Sequence, residues 1–169
     1  MKSTVLILLI TTLFYSPIVA QEDDKTWFDF WVGKWEGSWT ESDGKIGRGT
    51  NTITRTLDNT VIQENFKVDE GTSKGYLGTS ISVYNPQKKT WHQGYADNQG
   101  SYFNLIGERQ GDRRIFRTEM IQRGEKRIFQ RMVFYDITEN TMVWDWESTQ
   151  DGGKTWTLNW RINYKRIKS

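Results

Sequence analysis

Apolar and polar residues alternate with a period of two through much of the chain. The last segment shows it best: Trp156, Leu158, Trp160, Ile162 and Tyr164 alternate with Thr157, Asn159, Arg161, Asn163 and Lys165. Before it, Met142, Trp144 and Trp146 alternate with Asp145 and Glu147, and near the start Trp35, Gly37 and Trp39 share the same spacing. A period of two puts one set on each face of a strand. Turn signals punctuate the pattern about every ten residues. They include Ser42-Asp43-Gly44, Asp58-Asn59, Asp69-Glu70-Gly71, Asn85-Pro86, Asp97-Asn98-Gln99-Gly100, Gln110-Gly111-Asp112, Arg123-Gly124-Glu125, Glu139-Asn140 and Asp151-Gly152-Gly153. Each supplies a residue that tolerates positive φ or initiates a turn.

About ten strands joined by short turns predict antiparallel pairing in chain order. A flat sheet of that size would leave two long edges and accumulate twist, so closure is favoured. The predicted fold is all-β, a closed antiparallel up-and-down barrel of about ten strands, with a two-sheet sandwich as the alternative. Thr26 to Val32 is too short for a strand. Its aromatics sit at helical spacing, so a helical turn is expected there with Trp27, Phe30 and Trp31 on one side. Gly33 then permits a sharp change of direction. The segment Ile128 to Tyr135 is apolar on both faces, with Phe129, Val133 and Tyr135 on one side and Ile128, Met132 and Phe134 on the other. One face is expected to pack the interior, and the other to lie under the N-terminal segment, against a partner, or partly exposed.

The first twenty residues break the pattern. Lys2 precedes an uncharged, mostly apolar run from Val5 to Tyr15, Ser16-Pro17 interrupts it, and Ala20 precedes the polar Gln21-Glu22-Asp23-Asp24. This is the layout of a secretory signal peptide cleaved after Ala20, with an N-terminal anchor left uncut as the alternative. The run is shorter than the ~20 residues of a membrane-spanning helix. Residues 1–20 are therefore expected to be removed, leaving residues 21–169 as one barrel domain, exported to the periplasm or the extracellular space with no membrane span.

Composition narrows the chemistry. The absence of cysteine excludes disulfides and thiolate metal sites, so the core alone must hold the fold. With 23 basic and 21 acidic residues the chain lacks the basic field that nucleic-acid binding requires.

Gly33-Lys34-Trp35 resembles the Gly-x-Trp signature that opens lipocalins and their calycin relatives. The resemblance implies a short helical turn before the first strand, with the tryptophan closing one barrel end under an arginine from the last strand. Arg161 and Arg166 are the candidates. The longer pattern is similar to an uncharacterised family of secreted bacterial proteins. It comprises Asp-Phe-Trp-x-Gly-x-Trp (Asp29 to Trp35), Tyr84-Asn85-Pro86 leading to Trp91 and Gln93, the turn Asp97 to Gly100, and the hairpin Ser148 to Trp156. That resemblance bears on fold and implies no activity.

Several constellations could carry chemistry. Thr149 to Trp156 fits the Asp-box pattern that sialidases and other propellers repeat at blade hairpins. It occurs once here, whereas a propeller needs several, so a structural turn is expected. His92, the only histidine, could in principle serve as a metal or haem ligand or a general base. A single imidazole cannot build a protein-only zinc site. The nitrobindins, calycin-like barrels that hold haem through a histidine near the chain's end, have no counterpart here: Trp160 to Tyr164 contains none. His92 also faces away from Trp91, Gln93 and Tyr95. Glu64, Asp97, Glu119, Asp145 and Glu147 could support acid–base work. Asp145 and Glu147 are expected on a solvated outer face, and Asp97 in its turn. No nucleophile elbow or phosphate loop is present.

Nine tryptophans remain. They can fill a core, or they can line a pocket in a hollow barrel. Tyr84, Trp91, Gln93, Tyr95, Tyr102 and Asn104 combine rings with hydrogen-bonding groups, a mixture suited to a small amphiphilic or carbohydrate-like ligand. These six are the candidate ligand-binding residues. No catalytic residue, metal site or cofactor is expected. The expected function is that of a secreted lipocalin-like binding protein. The alternatives are an envelope enzyme with a dispersed site of carboxylates and Arg161, or an interaction protein using the face of Phe129, Val133 and Tyr135.

Overall fold

The computed structural model describes residues 24–168; the predicted signal peptide lies outside the described residues. Two single-turn 3-10 helices, Asp24–Thr26 and Asp29–Trp31, lead into strands β1 (Gly33–Thr40), β2 (Ile46–Thr56), β3 (Val61–Glu70) and β4 (Leu77–Asn85). β5 (Thr90–Asp97), β6 (Tyr102–Gln110), β7 (Arg113–Thr118) and β8 (Ile121–Arg123) follow. β9 (Lys126–Tyr135), β10 (Thr141–Thr149) and β11 (Thr157–Arg166) complete the chain.

The strands form one antiparallel sheet closed on itself, which excludes the sandwich. Neighbours in sequence pair in order from β1 to β7, β9 pairs β10, β10 pairs β11, and β11 returns to β1 with Gly37 opposite Tyr164. Ten strands make the ring. The short β8 lies outside it: β7 pairs the second half of β9 (Arg114 opposite Phe134), while β8 pairs the first half (Ile121 opposite Ile128).

Alternation sets the inside. Trp35 and Trp39 from β1, Ile62, Glu64, Phe66 and Val68 from β3, and Ile162 and Tyr164 from β11 are all buried. The turns at 41–45, 71–76, 98–101 and 150–156 lie at one end of the barrel, where Glu41, Thr72, Gln99 and Trp160 surround a common opening. The opposite end is stoppered by the N-terminal segment. Phe28 stacks on Phe116 with centroids 4.1 Å apart and meets Trp91 edge-on at 5.3 Å. Trp31 meets Phe134 edge-on at 5.2 Å. The plug is tied by indole hydrogen bonds: Trp35 Nε1 donates to the Trp31 carbonyl at 2.8 Å, and Trp91 Nε1 donates to the Asp24 carbonyl at 2.7 Å. Arg166, not Arg161, covers Trp35, with its guanidinium carbon 4.0 Å from the ring centroid.

Two local expectations change and a third is narrowed. Phe28 and Trp31 are the fully buried plug residues, while Trp27 and Phe30 are only partly buried. The two tight 3-10 turns, in place of one α-helical turn, rotate Phe28 into the barrel. In the last strand Trp160, Ile162 and Tyr164 point inward, but Leu158 is exposed at the rim and Trp156 packs outside against Phe129 at 5.1 Å. A register irregularity at Trp146/Glu147 separates the ordered part of that pairing from the turn. Finally, Met132 and Phe134 fill the interior, and the outer face of β9 is partly exposed: Val133 is fully buried, Phe129 and Tyr135 are half-buried, and Arg131 lies 3.5 Å over the Trp156 ring.

Candidate functional site

At the open end the barrel is hollow. A cavity of about 100 Å³ lies among aromatic side chains delivered by strands on opposite sides of the ring. Phe66 (β3), Tyr95 (β5) and Phe103 (β6) face Trp144 and Trp146 (β10) and Trp160 (β11) across it. Trp160 is the hub: it meets Trp39 at 5.1 Å and Trp144 at 5.8 Å, both at right angles, and Phe66 at 5.8 Å. Edge-to-face contacts of this kind fix the ring planes around the cavity. Tyr76, from the turn after β3, bonds through its hydroxyl to the Tyr95 hydroxyl and donates to Asp97 Oδ2 at 3.0 Å.

A wider mouth of about 500 Å³ shares Tyr76, Phe103, Trp146 and Trp160 with this cavity and is rimmed by Glu41 and Asp97. Both carboxylates are held by backbone donors. Glu41 accepts from the Thr72 amide at 2.8 Å, and Asp97 Oδ1 accepts from the Gln99 and Ser101 amides, each at 2.9 Å.

A polar layer lies inside the barrel, and Glu64 is the member of it that reaches the cavity. Glu64 Oε1 accepts from Asn51 Nδ2 and Oε2 from Ser80 Oγ, both at 2.7 Å. Gln93 Nε2 donates to the hydroxyls of Ser80 at 3.2 Å and Ser82 at 3.0 Å. The sequence dictates this layer: Ile62, Glu64, Phe66 and Val68 alternate along β3, so Glu64 must share the interior face with three apolar neighbours. Burial pushes the Glu64 carboxyl above its ordinary value, and the donors Asn51 and Ser80 only partly oppose this. Burial also holds the surrounding tyrosines in the phenol form, Tyr76 with its pKa pushed up to about 12 and Tyr95 and Tyr164 higher still.

The six candidate residues separate into three places. Tyr95 lines the cavity and Gln93 belongs to the polar layer. Trp91 is fully buried at the plugged end, and Tyr84 packs beside it at 5.8 Å. Tyr102 and Asn104 stand on the outer surface, where the Tyr102 hydroxyl donates to Asn104 Oδ1 at 3.1 Å. The pairing of Tyr95 with Phe103 fixes this: across a β5–β6 ladder Phe103 and Leu105 must share the inner face, and Tyr102 and Asn104 the other. Glu64, Phe66, Tyr76, Phe103, Trp144, Trp146 and Trp160 complete the site instead.

The other candidates lie away from the cavity. His92 sits on the outer face of β5 opposite Val83 and Ile106. Asp145 faces outward too but is buried beneath its partners: Arg161 grips it through Nε at 2.8 Å and Nη2 at 2.6 Å, and the Tyr135 hydroxyl donates at 3.2 Å. Arg161 is thereby outside the barrel, and Glu147 is paired with Arg131 at 2.7 Å. The Asp-box is a turn clasp: Asp151 accepts from the Lys154 and Thr155 amides and the Thr155 hydroxyl, while Trp156 Nε1 donates to the Gly153 carbonyl.

No protein-family model and no curated protein sequence matches this chain.

Proposed function

We propose that this chain is an exported binding protein that takes a small amphiphilic ligand through the open end of its barrel. One observation carries the reading: a barrel plugged at one end by Phe28 and Trp31 keeps, at the other, an aromatic cavity with a polar group in its wall. A hollow that concentrates rings around a few polar groups is the usual form of a small-molecule site. The N-terminal sequence supports export, and the resemblance to calycin barrels agrees with a ligand held inside. Titration of the purified protein with a panel of short amphiphiles and oligosaccharides, followed by tryptophan fluorescence, tests the reading. Three cavity tryptophans should report saturable binding, and Trp160→Ala should weaken it at least tenfold. A panel with no saturable response, or one unaffected by that substitution, overturns it.

Glu64 favours a second reading, an enzyme, because a buried carboxyl with a raised pKa beside a cavity is a frequent form of general acid. Two-carboxylate glycoside hydrolysis would need a second acidic group at about 5–9.5 Å. Among the described residues Glu64 is the sole carboxylate lining the cavity. Turnover of a glycan or ester panel that is abolished by Glu64→Gln would establish the enzyme.

A further inference from the structure

Among the described residues the cavity and its mouth are lined by three carboxylates, Glu64, Glu41 and Asp97, and by no lysine, arginine or histidine. This imbalance is not a property of the whole chain, which carries more basic than acidic residues. Inside, the hydrogen-bond partners of Glu64 are the neutral Asn51 and Ser80. A buried carboxylate without a cationic partner is costly, and proteins ordinarily supply one. The same layer holds two more buried acceptors with no donor, Asn51 Oδ1 and Gln93 Oε1. The acidic character of the site rests on Glu64 in the cavity wall and on Glu41 and Asp97 at the mouth, which together favour a positive charge there. The aromatic faces act in the same sense, since the ring quadrupole attracts cations.

We propose that the ligand of this site is a small organic ammonium ion, its charged head seated among the rings of Tyr95, Trp144, Trp146 and Trp160 against Glu64 and its remainder lying in the mouth. The proposal rests on the binding reading above and names the ligand's charge. Size agrees with it. A cavity of about 100 Å³ is smaller than the ~150 Å³ that admits benzene, so it accepts a head group rather than a whole amphiphile. The mouth, about 500 Å³ and acidic at its rim, receives the rest and draws cations inward.

The proposal fixes a proton linkage. The other ionisable groups facing the carboxyl are Tyr76, Tyr95 on β5 and Tyr164 on β11, with Asp97 behind Tyr76; the tyrosines stay neutral across the working range. Asn51 on β2, Ser80 on β4, Phe103 on β6, Met132 on β9 and the β10 tryptophans carry no charge. An ammonium head lowers the raised pKa of Glu64, so binding releases protons where the empty site is protonated.

The test is calorimetric titration of the folded protein with n-hexylammonium, hexyltrimethylammonium, 1-hexanol and hexanoate, at two pH values and in buffers of different ionisation enthalpy. At least one cation is expected to bind ten or more times more tightly than 1-hexanol, with proton release on the acid side, and hexanoate least tightly of the four. Glu64→Gln should bring cation and alcohol within threefold of each other. Equal binding of cation and alcohol to the unaltered protein, or a preference for hexanoate, overturns the charge assignment while leaving the binding reading intact. Absence of heat and of fluorescence change with all four overturns both. If Glu64→Gln does not fold, the proton release of the unaltered protein decides: none in any buffer at either pH overturns the role of Glu64.

Discussion

The guanidinium of Arg166 lies over the Trp35 ring while it donates three hydrogen bonds to carbonyls. The acceptors are Phe30 at 2.8 Å, Val32 at 2.7 Å and Glu139 at 2.7 Å. One side chain from the last strand thus fixes the N-terminal plug, the first strand and the turn between β9 and β10. Gly33 makes room for it. Its φ of +140° is a conformation that L side chains rarely adopt, and a Cβ there would overlap the guanidinium.

Arg166→Ala is expected to destabilise the fold by about 2–4 kcal/mol, combining lost charge-assisted hydrogen bonds with the lost contact to Trp35. Arg166→Lys should recover little of this, because an ammonium lacks the planar fork that reaches several carbonyls and stacks on a ring. Urea unfolding of the three proteins checks it; recovery of full stability by lysine would contradict the arrangement described.

Phe28→Ala should cost about 3–5 kcal/mol, the range for deleting a fully buried phenylalanine. The cavity lies at the other end of the barrel, so ligand affinity measured below the unfolding transition should change less than twofold. A large affinity loss in a protein that remains folded would show that the two ends are coupled.

The legibility of the fold and of the site differ for a physical reason. Short turns and the alternation Trp144, Trp146 and Trp160, Ile162, Tyr164 state antiparallel neighbours directly, and ring closure follows from the cost of edges. The site needs one datum more, the register across each turn. The turn from Asp97 to Ser101 determines whether Tyr102 or Phe103 faces inward, and its five residues leave both parities open until the Tyr95–Phe103 pair is seen. Glu64 is legible as a candidate carboxylate, and the apolar alternation of Ile62, Phe66 and Val68 around it sets it apart from the other four by placing it on the inner face. Tyr76 is not legible, since it enters the cavity from a turn, where no periodicity applies.

The clasp at residues 149–156 should prove structural and separable from the site. Hydrogen bonds from Thr155, Thr149 and Lys154 hold the Asp151 carboxyl well below the usual carboxylate range. A depressed folded pKa contributes stability that is fully present above the unfolded value, 3.8, and is lost as pH falls through the folded value. The turn should therefore remain closed down to strongly acidic pH. Asp151→Ala should free the loop and speed tryptic cleavage after Lys154 several-fold, with ligand binding unchanged. Cleavage at the parental rate would mean that Trp156, packed on Phe129, holds the loop without the clasp.

Glu64 gives the opposite sign. Its folded pKa is raised above the ordinary 4.5, so in the empty protein the folded state binds more protons than the unfolded state between those two values. The associated stability is fully present below about 4.5 and is lost as pH rises through the raised folded value. At neutral pH the empty protein therefore retains the strain of a charge, or of its suppression, inside an aromatic barrel. Glu64→Gln keeps the shape and can retain a hydrogen bond to Ser80, while removing the ionisable group. It should raise the melting temperature of the empty protein at neutral pH and flatten its dependence on pH above 4.5. The same substitution should abolish the preference for cations, so stability and selectivity move in opposite directions at one residue. Thermal melts at several pH values, made on the substituted and unaltered proteins without ligand, read this directly. An unchanged pH profile would mean that Glu64 is adequately solvated in the empty barrel and that its burial does not drive selection of the ligand.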